Sequence, residues 1–185
     1  MPTIRRPLPS RIIGHALLAL AVGLGLSTHA AAQTLQRVDE SLLGLSEAEL
    51  LVRLPDLRRT SKPLPGPRGL RGLWSVSETT AQGLVLDTVV YLKARNVLRI
   101  EQRWASRKAG DCQSSRLDAL AGGIQQRFGP AVVTSDDALD DTTQQNTTVW
   151  TLGETEARLL LTRSGEHCSA LIVYEPHITR DASEL

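Results

Sequence analysis

The spacing of apolar residues changes character several times along this chain, and each change marks a structural unit. Ile12 to Leu26 is one apolar run, interrupted only by His15 and by glycines. From Leu45 onward the apolar residues adopt helical spacing, with Leu50, Leu51 and Leu54 on one face. Between Leu84 and Trp104 they alternate with polar residues, the two-residue period of a strand. Leu117, Leu120, Ala121, Ile124 and Phe128 then form a single helical stripe. From Thr147 to Tyr174 the pattern is strand-like again.

The first helix is punctuated at both ends. Ser46-Glu47-Ala48-Glu49 is a capping box, in which the Ser46 hydroxyl accepts from the Glu49 backbone N–H and the Glu49 carboxylate reaches back. Leu45 and Leu50 occupy the positions of a hydrophobic staple. Pro55 ends the helix, because the residue before a proline is pushed out of the α region. The second helix is capped by Ser115 and stopped by Gly129-Pro130. Gly122 and Gly123 inside it each cost about 1 kcal/mol against alanine, which predicts a close approach of another backbone.

Leu84–Lys93 and Val97–Trp104 read as a hairpin around a three-residue loop, Ala94-Arg95-Asn96, with Asn96 left-handed. Leu92 then faces Leu98 and Val90 faces Ile100 on an apolar side. Tyr91 faces Arg99, Val89 faces Glu101 and Asp87 faces Arg103 on a polar side. A one-residue slip would mix the two faces, so the register supports itself. An earlier strand runs near Leu70 to Glu78 and holds Trp74. The second half has Thr147–Leu152 with Trp150, then Ala157–Arg163 and Cys168–Tyr174 around Ser164-Gly165-Glu166. The last strand is apolar on both faces, the pattern of a covered central strand or of a partner surface.

Both halves therefore read helix, loop, strand, strand, strand. Arg53 and Arg127 each precede a helix stop, and Trp74 and Trp150 each sit in the first strand, at a period of about 75 residues. The expected fold is α+β: two tandem helix-plus-three-strand antiparallel units, residues 33–110 and 111–185, with sheet faces packed on helices. The alternative is a single α+β domain with coincidental spacing.

The phrase from Gly44 through Pro55 resembles the helix motif of the small-lipoprotein family of the outer-membrane assembly machine. Two such units in tandem, secreted and disulfide-linked, resemble inhibitor proteins of the β-lactamase-inhibitor type. That resemblance implies two sheets joined into a concave surface that grips another protein. The chain departs from both patterns: it lacks a lipid-bearing cysteine, and its two cysteines are too few for one disulfide per half.

Arg5, Arg6 and Arg11, the apolar run and Ala30-Ala31-Ala32 have the order of an export signal, residues 1–32, cleaved after Ala32. The run falls short of the about 20 residues of a membrane span. A periplasmic, non-membrane mature chain is expected. The sequence carries 21 basic and 20 acidic residues, so losing three arginines leaves it slightly acidic, which argues against nucleic-acid binding. Cys112 and Cys168 in an oxidising compartment read as a disulfide. Closing so long a loop stabilises a fold by about 4 kcal/mol. The competing reading is a reactive thiol beside His167, but neighbours on a strand point to opposite faces.

Little else suggests chemistry. No G-x-S-x-G elbow and no H-E-x-x-H spacing occurs. Asp136, Asp137, Asp140 and Asp141 lack the alternation, glycine and terminal glutamate of a calcium loop and read as a solvated loop. Arg53 to Arg71 reads as an extended, proline-stiffened basic connector, available to an acidic partner, a lipid headgroup or the acidic loop of the other half. The expectation is a non-catalytic binding protein without cofactor or metal, holding a periplasmic protein partner on an open sheet face. Tyrosine, tryptophan and arginine anchor interfaces, which selects Tyr91, Arg99 and Arg103, then Trp74 and Trp150. The runner-up is a small-molecule or lipid binder with a helix–sheet pocket. That reading requires a cavity of at least about 300 Å³.

Overall fold

The computed structural model describes residues 38–79, 83–112 and 114–177. The predicted signal and its cleavage site lie outside the described residues. Two helices, α1 (Glu47–Arg53) and α2 (Ser114–Phe128), accompany eight strands. These are β1 (Arg58–Pro65), β2 (Arg71–Thr79), β3 (Val85–Lys93), β4 (Asn96–Ser106), β5 (Val133–Ala138), β6 (Thr143–Leu152), β7 (Thr155–Ser164) and β8 (His167–Pro176).

All eight strands form one antiparallel sheet in the order β1-β2-β3-β4-β8-β7-β6-β5. This overturns the expectation of two tandem helix-plus-three-strand units. Each half contributes four strands, and pairing of β4 with β8, from Ile100↔Tyr174 to Ser106↔Cys168, merges them into a single sheet. The missed strands are the two edges. β1 lies inside the stretch that reads as a basic connector, and β5 contains two residues of the acidic loop. Edge strands exposed on both faces need no alternation, so neither carries a two-residue signal. Their positions at opposite ends of the sheet also keep the basic and acidic segments apart.

One row crosses seven strands: Arg59, Trp74, Val90, Ile100, Tyr174, Ala157, Trp150. The tryptophans each stand two strands out from the β4–β8 seam. This row lies on the face covered by the helices. Leu50 and Leu54 beside α1's end, Leu117, Leu120, Ile124 and Phe128 of α2, and Val38 and Leu42 are buried with Val90, Ile100, Leu159 and Ile172 in one core. The α2 stripe is thus the face its spacing marks. Phe128 stacks on Tyr174 with centroids 6.1 Å apart. Arg53 and Arg127 converge on one turn at residues 39–41. The Arg53 guanidinium donates to Ser41 Oγ at 2.8 Å, and Arg127 pairs with Asp39 at 2.9 Å and Glu40 at 2.7 Å.

Local details follow the sequence in part. The capping box forms: Ser46 N–H donates to Glu49 Oε2 at 2.8 Å and Glu49 N–H donates to Ser46 Oγ at 3.3 Å. The β3–β4 hairpin has the expected pairs Val90↔Ile100, Tyr91↔Arg99, Val89↔Glu101 and Asp87↔Arg103. Its turn differs. Ala94 and Arg95 both take positive φ, Lys93 pairs with Asn96 and Leu92 with Val97, and a bulge before Arg99 absorbs the extra residue. Two left-handed residues match the twist of the strands better than the expected three-residue loop. The close approach expected at Gly122 is absent, since a Cβ there would meet nothing within 4 Å. Cys112, in the turn before α2, is disulfide-bonded to Cys168 of β8 with Cα atoms 5.7 Å apart. Cys168 is buried and His167 exposed, as alternation on a strand requires.

Candidate functional site

The sheet face opposite the helices carries a ladder of charge. Alternation along β4 puts Arg99, Glu101 and Arg103 on this face, and alternation along β7 adds Glu156 and Arg158. Antiparallel pairing brings in Glu175 of β8. Arg103 contacts Glu101 at 2.5 Å and Arg99 contacts Glu101 at 2.8 Å. Arg99 reaches across the seam to Glu175 at 2.6 Å, Arg158 meets Glu175 at 2.5 Å and Glu156 at 2.6 Å, and His177 closes the chain on Glu156 at 3.3 Å. Three guanidiniums alternate with three carboxylates from β4 to β7.

The ladder has buried and exposed positions. Glu101 is only 4% exposed, beside Tyr91 at 2%. The Tyr91 hydroxyl donates to Glu101 at 3.1 Å. Burial pushes the Glu101 carboxyl up, but hydrogen bonds from Arg103 and Arg99 outweigh it and hold the group below the usual carboxylate range. Burial, then the Glu101 charge, pushes the Tyr91 phenol up. On Glu156, burial is likewise outweighed by the Arg158 hydrogen bond and charge, so its pKa is lowered. Arg103 keeps a side chain 58% exposed, and Arg158 one that is 38% exposed.

Tyr91 is buried because the segment between β1 and β2 folds over it. A Cβ on Gly66 would stand 2.7 Å from Tyr91 Cδ1, and one on Gly72 would stand 2.7 Å from Val89 Cγ1 and 3.1 Å from Tyr91 Cε1. Only glycine allows the chain this close to the sheet.

The five residues selected from sequence therefore divide between two faces. Tyr91, Arg99 and Arg103 come together on the ladder, with Tyr91 as support beneath a loop rather than as a contact. Trp74 lies on the helix side, half-buried, with its indole N–H donating to Glu47 of α1 at 3.0 Å and the Arg59 guanidinium 6.0 Å from its ring. Trp150 is 1% exposed within the core. Glu101, Glu156, Arg158 and Glu175 were not selected, although the alternations Arg99-x-Glu101-x-Arg103 and Glu156-x-Arg158 place opposite charges on one strand face in plain sight.

A second feature lies on the helix side. A cleft of about 500 Å³ runs between α2 and strands β5–β7, lined among others by Asp118, Asp136, Gln144, Asn146, Leu161 and Arg163. Nearby Asp140 caps its own turn: its carboxylate accepts from Thr142 N–H, Thr142 Oγ1 and Thr143 N–H, which lowers its pKa. Among the described residues no group of three or more His, Cys, Asp or Glu side chains is placed to hold a metal ion, and no helix is long and apolar enough to cross a membrane. No protein-family model, no curated protein and no solved structure matches this chain.

Proposed function

We propose that the protein is an exported, non-catalytic binding module of the cell envelope that engages a protein partner on the sheet face opposite its helices. The observation that carries this reading is the Arg/Glu ladder across the central strands. Each guanidinium is already fixed by carboxylates, so less freedom is lost when a partner docks. Arg103 and Arg158 keep exposed groups for the contact. Export to an oxidising periplasm is supported by the Cys112–Cys168 bond and by the basic, apolar, small-residue order of residues 1–32. A kinship with the small lipoproteins of the outer-membrane assembly machine rests on the Gly44–Pro55 helix alone, since the tandem three-strand units behind the second resemblance are absent.

The test is a mild-crosslink capture from native periplasm with tagged mature protein and a folded Arg103→Glu/Arg158→Glu variant. One dominant partner, reduced about tenfold or more in the variant, is expected for anchors of this kind. Equal capture by both proteins overturns the reading. The cleft beside α2 favours a second one. Its volume exceeds the about 300 Å³ minimum of ligand sites, and Asp118 and Asp136 outnumber Arg163 along its lining, which suits a small organic cation. No captured protein, with a small molecule retained in native mass spectrometry, would favour this second reading.

A further inference from the structure

The sheet ends in two edges that differ in kind. β1 has Pro63 and Pro65, which offer no N–H, and its register against β2 breaks between Arg59 and Leu64. Prolines and bulges are how edge strands are kept from pairing. β5 has neither. It pairs with β6 in unbroken register from Val133↔Val149 to Ala138↔Gln144, and every β5 residue except Ser135 is exposed.

The phase of its ladder shows which groups are free. Leu139 N–H donates to Thr143 C=O at 2.9 Å, so residue 139 faces β6. Backbone groups of successive residues point to opposite sides of an antiparallel strand. Ser135 and Asp137 therefore also face β6, and Thr134, Asp136 and Ala138 turn their N–H and C=O groups outward. The pairing Asp136↔Asn146↔Leu161↔Ala170 puts the Asp136 side chain on the helix side, where it lines the cleft with Asp118. Asp137 is on the opposite face, and Asp140 and Asp141 follow the strand.

We propose that β5 is an acceptor edge for an extended segment of another protein that carries lysine or arginine at alternate positions. The incoming strand would pair with Thr134, Asp136 and Ala138 and direct its basic side chains past Asp136 into the cleft. Main-chain bonds supply affinity in this mode and side-chain pockets supply selectivity. A second copy is a poor occupant: its β1 is blocked by prolines, and its β5 repeats the same acidic charges. This site is separate from the charge ladder, and the failure of either leaves the other standing.

The probe is a labelled, capped peptide TKVKVKT, followed by fluorescence anisotropy with the mature chain. Saturable binding is expected. It should weaken about tenfold or more for EVEVEVE, for TKVKVKT N-methylated at alternate residues, and for Thr134→Pro, each of which removes charge or edge pairing. Thr134→Pro loses only an outward N–H, so circular dichroism should be unchanged. The N-methylated peptide tests the same bonds without altering the protein. Amide exchange at Thr134, Asp136 and Ala138 should slow when peptide is added. Absence of saturable binding, equal affinity for the N-methylated peptide, or self-association of the chain abolished by Thr134→Pro would each overturn the proposal.

Discussion

The two halves of the sheet have the same number of strands but are finished differently. In the first half, α1 has only 7 residues, and Leu50 is its one buried side chain. There the segment from Leu64 to Gly72 closes over Tyr91, and the edge strand is bulged and carries proline. In the second half, α2 has 15 residues and buries Leu117, Leu120, Ile124 and Phe128, and the disulfide fixes its approach to β8. There the edge stays regular. The contrast suggests a division of labour. Where the helix contributes little, a loop seals the sheet. Where helix and disulfide supply the stability, the backbone groups of the edge strand can be left unpaired.

The disulfide gives the largest way to break this contrast. Cys112→Ala/Cys168→Ala should lower unfolding stability by about 4 kcal/mol, read from urea titration. Amide exchange should rise most at the start of α2 and along the cleft, while the β1–β3 region stays protected. Uniform acceleration across both halves would show that the second half has no separate dependence on the bond.

The legibility of the sequence divides along the same line. Positions with one buried face could be read: the α2 stripe, the Ser46 box and four of the β3–β4 pairs follow from burial and capping, which leave periodic or fixed-offset marks. β1 and β5 could not, because residues exposed on both faces are free of alternation. Joining of the halves was also hidden. β8 is apolar on both faces, and the pattern identified it as covered or partner-facing without saying that β4 would be its neighbour. The burial of the aromatic residues was hidden for a related reason. Polar neighbours placed Tyr91 on the outer face correctly, but nothing in its own strand signals that a loop held close by Gly66 and Gly72 covers it.

Glycines sharpen the contrast at intermediate size, with opposite signs in the two halves. At Gly72 a Cβ would press on Val89, Tyr91 and Leu64 from three sides at 2.7, 3.1 and 3.2 Å. Gly72→Ala should cost about 1–3 kcal/mol by overpacking. At Gly122 a Cβ would meet nothing within 4 Å. Gly122→Ala should stabilise by up to about 1 kcal/mol through helix propensity. Thermal unfolding of the two single variants decides: a Gly72→Ala variant as stable as wild type would mean that the seal over Tyr91 is looser than its geometry, and a destabilised Gly122→Ala variant would mean that the open side of α2 is closer packed.

Acid titration gives the smallest effect and probes the seam where the halves join. Glu101 has a folded-state pKa below its unfolded value. Its contribution is therefore present above the ordinary carboxylate pKa, near 4.5, and is lost as pH falls through the depressed value. Glu40 works in the opposite direction: burial raises its pKa, so its protonation favours the folded state as pH falls. The total curve mixes both, and the informative quantity is the difference between wild type and Glu101→Gln. That variant should be less stable near neutral pH, and its deficit should shrink as pH drops below about 4.5. The effect should be modest, because Arg103 is largely exposed and solvent screens its share of the ladder. Parallel curves down to acid would mean that the Glu101 charge contributes nothing to the joined sheet. A closing gap would place ionic support at the β4–β8 seam, on which both finished and unfinished halves depend.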